Sequence, residues 1–388
     1  HPECPDWNCS PMDAAQPTSL NSNAILRINL DAIAANYRKL RDRVEPAICA
    51  GVVKADAYGL GIGKVAPVLW DNGCRWFFVA TVDEAIELRR ILPEAEIAVL
   101  SNYLRGTEVE LISNKLVPVL NDPADFACWS SASRAAGRKL PAIIQLDTGM
   151  SRLGMMPEDV EKLAGDQDAF KGFTVKFIMS HLASADVHDS EQNLQQLDNF
   201  RNALALLEPL EPNAKACFAN SAGIFLGSNY LYNMVRPGIA LYGGNPTPPL
   251  SNPMSPVVQL SARVLQVRDV PAGTHVGYSA TWTAKRPSRI ATLGLGYADG
   301  FLRTGSGKGR VAFGDLNAPI IGRISMDMTG IDVTDIATEA CRPGDYVEII
   351  GPNRPLDDVA TDHQTISYEI LTSLGKRYRR VYETSHKS

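Results

Sequence analysis

Residues Cys49–Gly63 read CAGVVKADAYGLGIG. An apolar, β-branched run ends on Lys54 and breaks into a turn of small residues, with Gly59, Gly61 and Gly63 opening towards a helix. The pattern predicts a buried strand that delivers Lys54 at its C-terminal end. Burial there disfavours the ammonium form, lowers the lysine pKa and leaves a nucleophilic amine, which Schiff-base chemistry with an aldehyde requires. Taken alone, a strand-end lysine also serves to pair with a carboxylate such as Asp56, because structural ion pairs perturb lysines too.

Upstream, AILRINL (24–30) alternates like a strand, and Asp31 is placed to N-cap an amphipathic helix running to about Arg43. Downstream, short apolar runs alternate with helical segments. The runs are ICAGVVKA, WFFVA, IAVLS, LVPVL, PAIIQLD, VKFIMSHL, ACFAN and NMVRPGIALYG; between them lie stretches such as VDEAIELRRIL and EQNLQQLDNFRNALALLEPL. Eight such β/α units predict an eight-stranded parallel (β/α)8 barrel, an α/β fold. A doubly wound sheet is the alternative, but no GxGxxG follows the first strand.

The composition changes after residue 245. The proline-rich stretch 246–256 reads as a linker, and residues 257–350 carry the runs VVQLSARVLQV, RIATLGLGY, RVAFG, APIIGRISMDMTGIDV and DYVEII with Gly, Pro and Asp between them. A helix is expected at roughly 363–374, then a closing strand. The expected organisation is an arm over 1–23, the barrel over 24–245 and a smaller β-rich C-terminal domain over 257–388, with which the first strand, 24–30, is free to pack. Met12 reads as a native start, and residues 1–11 as a vector scar or the remains of a processed leader.

Net charge is −5 with no basic tract, which argues against nucleic acid and anionic membrane as partners. No apolar run approaches a membrane span. The seven cysteines, at 4, 9, 49, 74, 128, 217 and 341, form no CxxC pair, so no metal site is expected, and their odd number points to free thiols in a reducing, cytoplasmic setting. Cys49 and Cys74 fall on or just before consecutive strands, close enough for a bridge to be conceivable.

Several polar residues fall just after strand ends: Lys54, Tyr58, Arg152, His181, Asn220, Ser221 and Arg236. The C-terminal face of such a barrel is where sites are built, so these converge on one site. The planar fork of Arg152 suits a cofactor oxygen or a substrate carboxylate. Ser221, with a helix start behind it, makes a seat for phosphate or a plain helix cap. Arg236 precedes a Pro-Gly turn in which Gly238 and Ile239 offer backbone amides. Tyr278, in HVGYSATW, is an ordinary strand tyrosine unless a nearby cation lowers its pKa from about 10.

VVKADAYGLG, DTGMSRLG (147–154), IMSHLA, CFANSAG (217–223), MVRPGIALYG, HVGYSATW, LGYADG (295–300), GRISMDMTGIDVTD (322–335) and ISYEILTSLG (366–375) together resemble, in order, the motifs of the bacterial alanine racemases. The likeness extends over about residues 24–383. It implies pyridoxal 5'-phosphate joined to Lys54, with Tyr58, Ser221, Gly238, Ile239 and Tyr368 towards its phosphate, Arg152 at its phenolic oxygen, Arg236 at its ring nitrogen, and His181 and Asn220 in the surrounding network. It implies Lys54 and Tyr278 as bases on opposite faces of alanine, and Arg152, Tyr297, Met326 and Asp327 near the substrate. It implies a homodimer whose sites each take Tyr278 from the partner, and D-alanine for peptidoglycan as the product. A broad-specificity or serine racemase of the same fold is the near alternative. A decarboxylase of that fold lacks its expected glycine loop here, and a bare-barrel cofactor carrier would lack residues 257–383. Three positions depart from the family pattern. Gln145 stands where a lysine is common and offers an amide oxygen to Arg152, Cys217 stands for a histidine, and Ser325 for a cysteine.

Overall fold

The computed structural model describes residues 21–101 and 105–385. The expected N-terminal arm therefore lies, up to residue 20, outside the described residues, as do Met12, Cys4 and Cys9. The chain forms two compact units. Among the described residues, one comprises Asn29–Val257, Ser367–Thr372 and 383–385; the other comprises 21–28, Val258–Ile366 and Ser373–Tyr382.

The first unit is a closed parallel barrel. Its strands are Ile48–Cys49 with Gly51–Val52, then Trp76–Val79, Glu96–Val99, Val117–Leu120, Pro141–Gln145, Thr174–Met179, Lys215–Asn220 and Met234–Arg236. The first strand is in two pieces because it changes partner midway. Ile48 and Cys49 pair with Met234 and Val235, whereas Gly51 and Val52 pair with Phe77 and Phe78, and this exchange closes the ring. Every residue of Trp76–Val79 and Val117–Leu120 is buried, as expected of parallel strands covered on both faces.

Local chemistry starts several of the helices. Asn29, not Asp31, is the N-cap of Leu30–Val44 and accepts the Ala32 N–H; Asp31 sits in the first turn, where its charge suits the dipole. Thr81 and Glu84 form a reciprocal capping box on Val82–Ile91. Asp122, followed by Pro123, starts Pro123–Ala135. Residues 246–256 belong to this unit: Asn36 Nδ2 donates to Ser255 O and its Oδ1 accepts the Ser255 N–H, and Met254 is buried. The five described cysteines, Cys49, Cys74, Cys128, Cys217 and Cys341, are free thiols.

The second unit is antiparallel. The 13-residue strand Val258–Val270 pairs with Tyr346–Ile350 through its first half and with Ser288–Leu293 through its second, closing a ring that continues through Thr329–Asp332, Leu316–Ile321 and Arg310–Phe313. Ala24–Ile28 pairs along Val258–Ala262. Two helices stand near the end of the chain, Leu356–Asp362 and Ser367–Ser373; only the second falls within the helix expected at 363–374. Pro355 starts the first, and Gln364, at φ 57°, breaks the chain before the second.

Candidate active site

Lys54 leaves the first barrel strand at its C-terminal end, half-buried in a cavity of about 490 Å³. Directly after it, Ala55, Asp56, Ala57 and Tyr58 make one left-handed turn, with φ between 52° and 55°. Each such residue without a glycine's freedom costs about 1–2 kcal/mol, so surrounding bonds must hold the turn in place. The Asp56 carboxylate accepts the Ile62 N–H at 2.6 Å, and Glu84 accepts the Ala55 and Ala80 N–H groups at 2.7 Å each. Asp56 is thus engaged with the backbone, and pairing with Lys54 is not its role.

The amine of Lys54 is pushed below the ordinary lysine range. Burial is the main cause, and Arg152 and Arg236 act in the same direction against the opposing charge of Glu84. His181 is driven down to about 3 by burial, then by Arg236, Arg152 and Lys54, so its ring is neutral. Arg236 is buried and donates from Nη2 to Ser180 O at 2.8 Å and from Nη1 to Cys217 Sγ at 2.7 Å. The same Nη2 lies 3.1 Å from His181 Nδ1, and a cation can only donate there, so the imidazole proton sits on Nε2.

Ser221 is buried, and its Oγ accepts from both Gly238 N at 2.9 Å and Ala240 N at 3.2 Å. Both lone pairs are then used, which leaves its O–H to donate into the cavity. The expected α-helix behind Ser221 is instead a three-residue 3-10 turn, Gly223–Phe225. Asn220 shapes that turn by accepting the Gly223 N–H at 2.9 Å, so no α-helix dipole stands behind Ser221, and the Gly238 amide expected to serve an anion is already given to Ser221 Oγ. Gly238 makes room for a neighbour, since a Cβ there would stand 2.3 Å from the Tyr58 hydroxyl oxygen. Tyr58 packs at 4.8 Å from Tyr242 and 5.8 Å from Tyr368, centroid to centroid. Burial raises the pKa of both Tyr58 and Tyr368, the latter to about 12.

Lys54, Tyr58, Arg152, His181, Asn220, Ser221, Arg236, Gly238, Ile239 and Tyr368 all line this one cavity. Gln145 lines it too, but its amide nitrogen donates to Leu153 O at 3.3 Å, and its oxygen does not receive Arg152. The residues expected near the substrate, Tyr278, Tyr297, Met326 and Asp327, belong to the antiparallel unit. Tyr278 follows Gly277, whose φ of 74° with ψ of −176° suits only glycine, and it is 70% exposed. Met326 is 54% and Tyr297 42% exposed. The Asp327 carboxylate is bound by Arg377 Nη1 at 2.7 Å. Sequence reading missed Glu84, although TVDE carries the capping-box signature, and missed Thr372 on the cavity wall.

The family model described as alanine racemase, N-terminal domain, matches residues 28–246, and that of the C-terminal domain matches residues 257–382. An alanine racemase from Methylobacterium nodulans is 47% identical over 92% of this chain and 96% of its own length. A catabolic alanine racemase from Agrobacterium fabrum is 45% identical over 92% of this chain and 91% of its own length. The crystal structure of an alanine racemase from Bartonella henselae, with covalently bound pyridoxal phosphate, superposes with a TM-score of 0.89 at 45% identity, covering 93% of this chain and all of that one.

Proposed function

The chain belongs to the alanine racemase family, and from that premise we propose that it interconverts L- and D-alanine on pyridoxal 5'-phosphate joined to Lys54. The observation that carries this reading is a half-buried lysine of lowered pKa in a cavity also lined by two arginines and a serine hydroxyl free to donate. That donor set fits the cofactor. Lys54 would meet its aldehyde, Ser221 and the Gly238–Ile239 loop beside Tyr58 and Tyr368 would hold its phosphate, Arg152 would face its phenolic oxygen and Arg236 its ring nitrogen. When bound, the cofactor supplies an electron sink that acidifies the α-hydrogen of an attached amino acid. Arg236 would offer the ring nitrogen a guanidinium hydrogen bond in place of an acid, which would limit that sink and favour return of the α-proton.

Inversion needs a proton carrier on each face. Lys54 Nζ is one. Among the described residues that line the cavity, the phenols, Tyr58 and Tyr368, have raised pKa values and the imidazole of His181 is neutral and of low basicity, so none makes a good second base. Tyr278 is therefore assigned the second face, brought by a second copy of the chain in a homodimer with shared sites, with Tyr297, Met326 and Asp327 accompanying it. The free thiols support a cytoplasmic enzyme. Among the described residues, no helix is long and apolar enough to cross a membrane. Supply of D-alanine for peptidoglycan is the proposed role. The test is incubation with L-alanine, with and without added cofactor, followed by chiral analysis. No D-alanine from the cofactor-loaded protein would overturn the reading.

A further inference from the structure

Gln196 is fully buried on the helix Glu191–Leu207, and its side-chain amide is engaged at both ends. Oε1 accepts the Ala183 N–H at 2.8 Å, and Nε2 donates to His181 O at 2.9 Å and to Thr148 Oγ1 at 3.2 Å. The protons available fix the direction of the next link. Thr148 Oγ1 already accepts from Gln196, and Ser180 Oγ donates to Leu146 O at 2.8 Å. The 2.7 Å between the two hydroxyls is then a donation from Thr148 to Ser180. One chain of donors runs from Gln196 through Thr148 and Ser180 to the end of the fifth barrel strand.

Its neighbours on the helix do the same work. Gln192 Nε2 donates to Gly149 O at 3.0 Å and Asn199 Nδ2 to Thr148 O at 2.9 Å. Positions 192, 196 and 199 fall on one helical face. Together they hold the backbone of residues 148–149, and Asp147 Oδ1 shapes the adjoining turn by accepting the N–H groups of Gly149, Met150 and Ser151. Arg152 ends that loop and has no hydrogen-bond or ion-pair partner among the described residues, so the loop backbone sets its place in the cavity. On the other side, the segment gripped at His181 and Ala183 starts with Ser180, whose carbonyl receives Arg236.

We propose that Gln196 is a positioning residue for the racemisation: through Thr148 it holds the loop that presents Arg152 to the cavity, and through His181 O it keeps that loop in register with Arg236. The inference rests on the proposed function only for the reaction named. Arg152 contributes to the lowered pKa of Lys54 and of His181, so displacement of this loop changes the electrostatics of the site.

The test is a double-mutant cycle in the cofactor-loaded, full-length protein. Gln196→Leu strands three partners and risks the fold, so the main probe is Thr148→Val, which removes the hydroxyl and with it its two bonds, from Gln196 and to Ser180. Thr148→Val is expected to lower kcat/KM for alanine about tenfold and to weaken pyridoxal phosphate binding, read by titration of the visible absorbance, by a similar factor. Thr148→Ser, which keeps the hydroxyl, recovers most of both. On an Arg152→Ala background, Thr148→Val should cost less than about twofold further, because its effect passes through the arginine. Equal factors in both backgrounds, or no loss in either, would overturn the proposal. If the wild type fails to turn over alanine, the functional reading falls, while the same cycle in cofactor affinity still decides the role of Gln196.

Discussion

Arg236 donates to the thiol of Cys217 at 2.7 Å, and both side chains are buried. Burial holds the thiol above its ordinary pKa, although the guanidinium pulls the other way, so a full cation faces a neutral sulfur. Replacing Cys217 by Ala removes the sulfur without adding volume and leaves Nη1–H without an acceptor. A stranded donor on a buried charge costs about 1–3 kcal/mol. Thermal denaturation should show a clear fall in Tm, and an unchanged Tm would mean that the bond contributes nothing.

Borohydride treatment of the purified protein should remove its near-visible absorbance and leave the cofactor on Lys54, as read by peptide mass spectrometry. The lowered pKa of Lys54 keeps more of its amine neutral than an ordinary lysine has at the same pH, so cofactor capture should persist to lower pH than capture by free lysine. A reduced adduct on another lysine would reject the assignment.

His181 ties pH to stability. Its pKa falls from 6.5 to about 3 on folding, so the unfolded chain binds the proton more readily. Its contribution to stability is complete above pH 6.5 and declines as pH falls from there towards about 3. Replacement by Asn should flatten the urea-midpoint profile in that window, and a profile of unchanged slope would contradict the burial-driven shift.

The strands were legible because each is a short apolar run closed on both faces, and the cavity because its side chains follow strand ends. Other features depend on distant partners. Nothing in EQNLQQLDNF shows that Gln192, Gln196 and Asn199 bind a loop more than forty residues earlier. The left-handed turn at Ala55–Tyr58 runs against the local preference of alanine and is imposed by the packing around it. Asn29 and Asp31 are both good caps, and the side chain that reaches the Ala32 N–H decides between them.

In the antiparallel unit, Arg377 binds both oxygens of buried Asp299, at 2.7 and 2.9 Å, and also Asp327 at 2.7 Å. It thereby joins the turn of Tyr297 to the loop of Met326, which already share the bonds from Tyr297 N to Ser325 O and from Ala298 N to Met326 O. Arg377→Gln should cost about 1–3 kcal/mol, discounted for the exposure of the arginine. It should also raise turnover of serine relative to alanine, measured as a ratio of kcat/KM values. A constant ratio would remove these loops from substrate selection.

Tyr278→Phe should leave cofactor binding intact and lower racemisation by about 10²–10⁴. Exchange of the α-proton with solvent deuterium should suffer far more for one enantiomer of alanine than for the other. Equal, small losses would argue against one base on each face. Whether the tyrosine comes from a partner is open to mixing: Lys54→Ala and Tyr278→Ala, each nearly inactive, are refolded together. With random pairing, half of the dimers are mixed and each has one intact site, so activity should return to roughly a quarter of wild type. Absence of recovery despite demonstrated mixed dimers would place each site within one chain.

The divided first strand also has a meaning for synthesis. Ile48 finds its partner only at Met234, nearly at the end of the barrel's length of chain. A chain that has not yet emerged to that point lacks the strand that closes the sheet beside Lys54. The two guanidinium groups that help lower the pKa of its amine, Arg152 and Arg236, also lie far downstream, so the reactive lysine depends on parts of the chain made long after it.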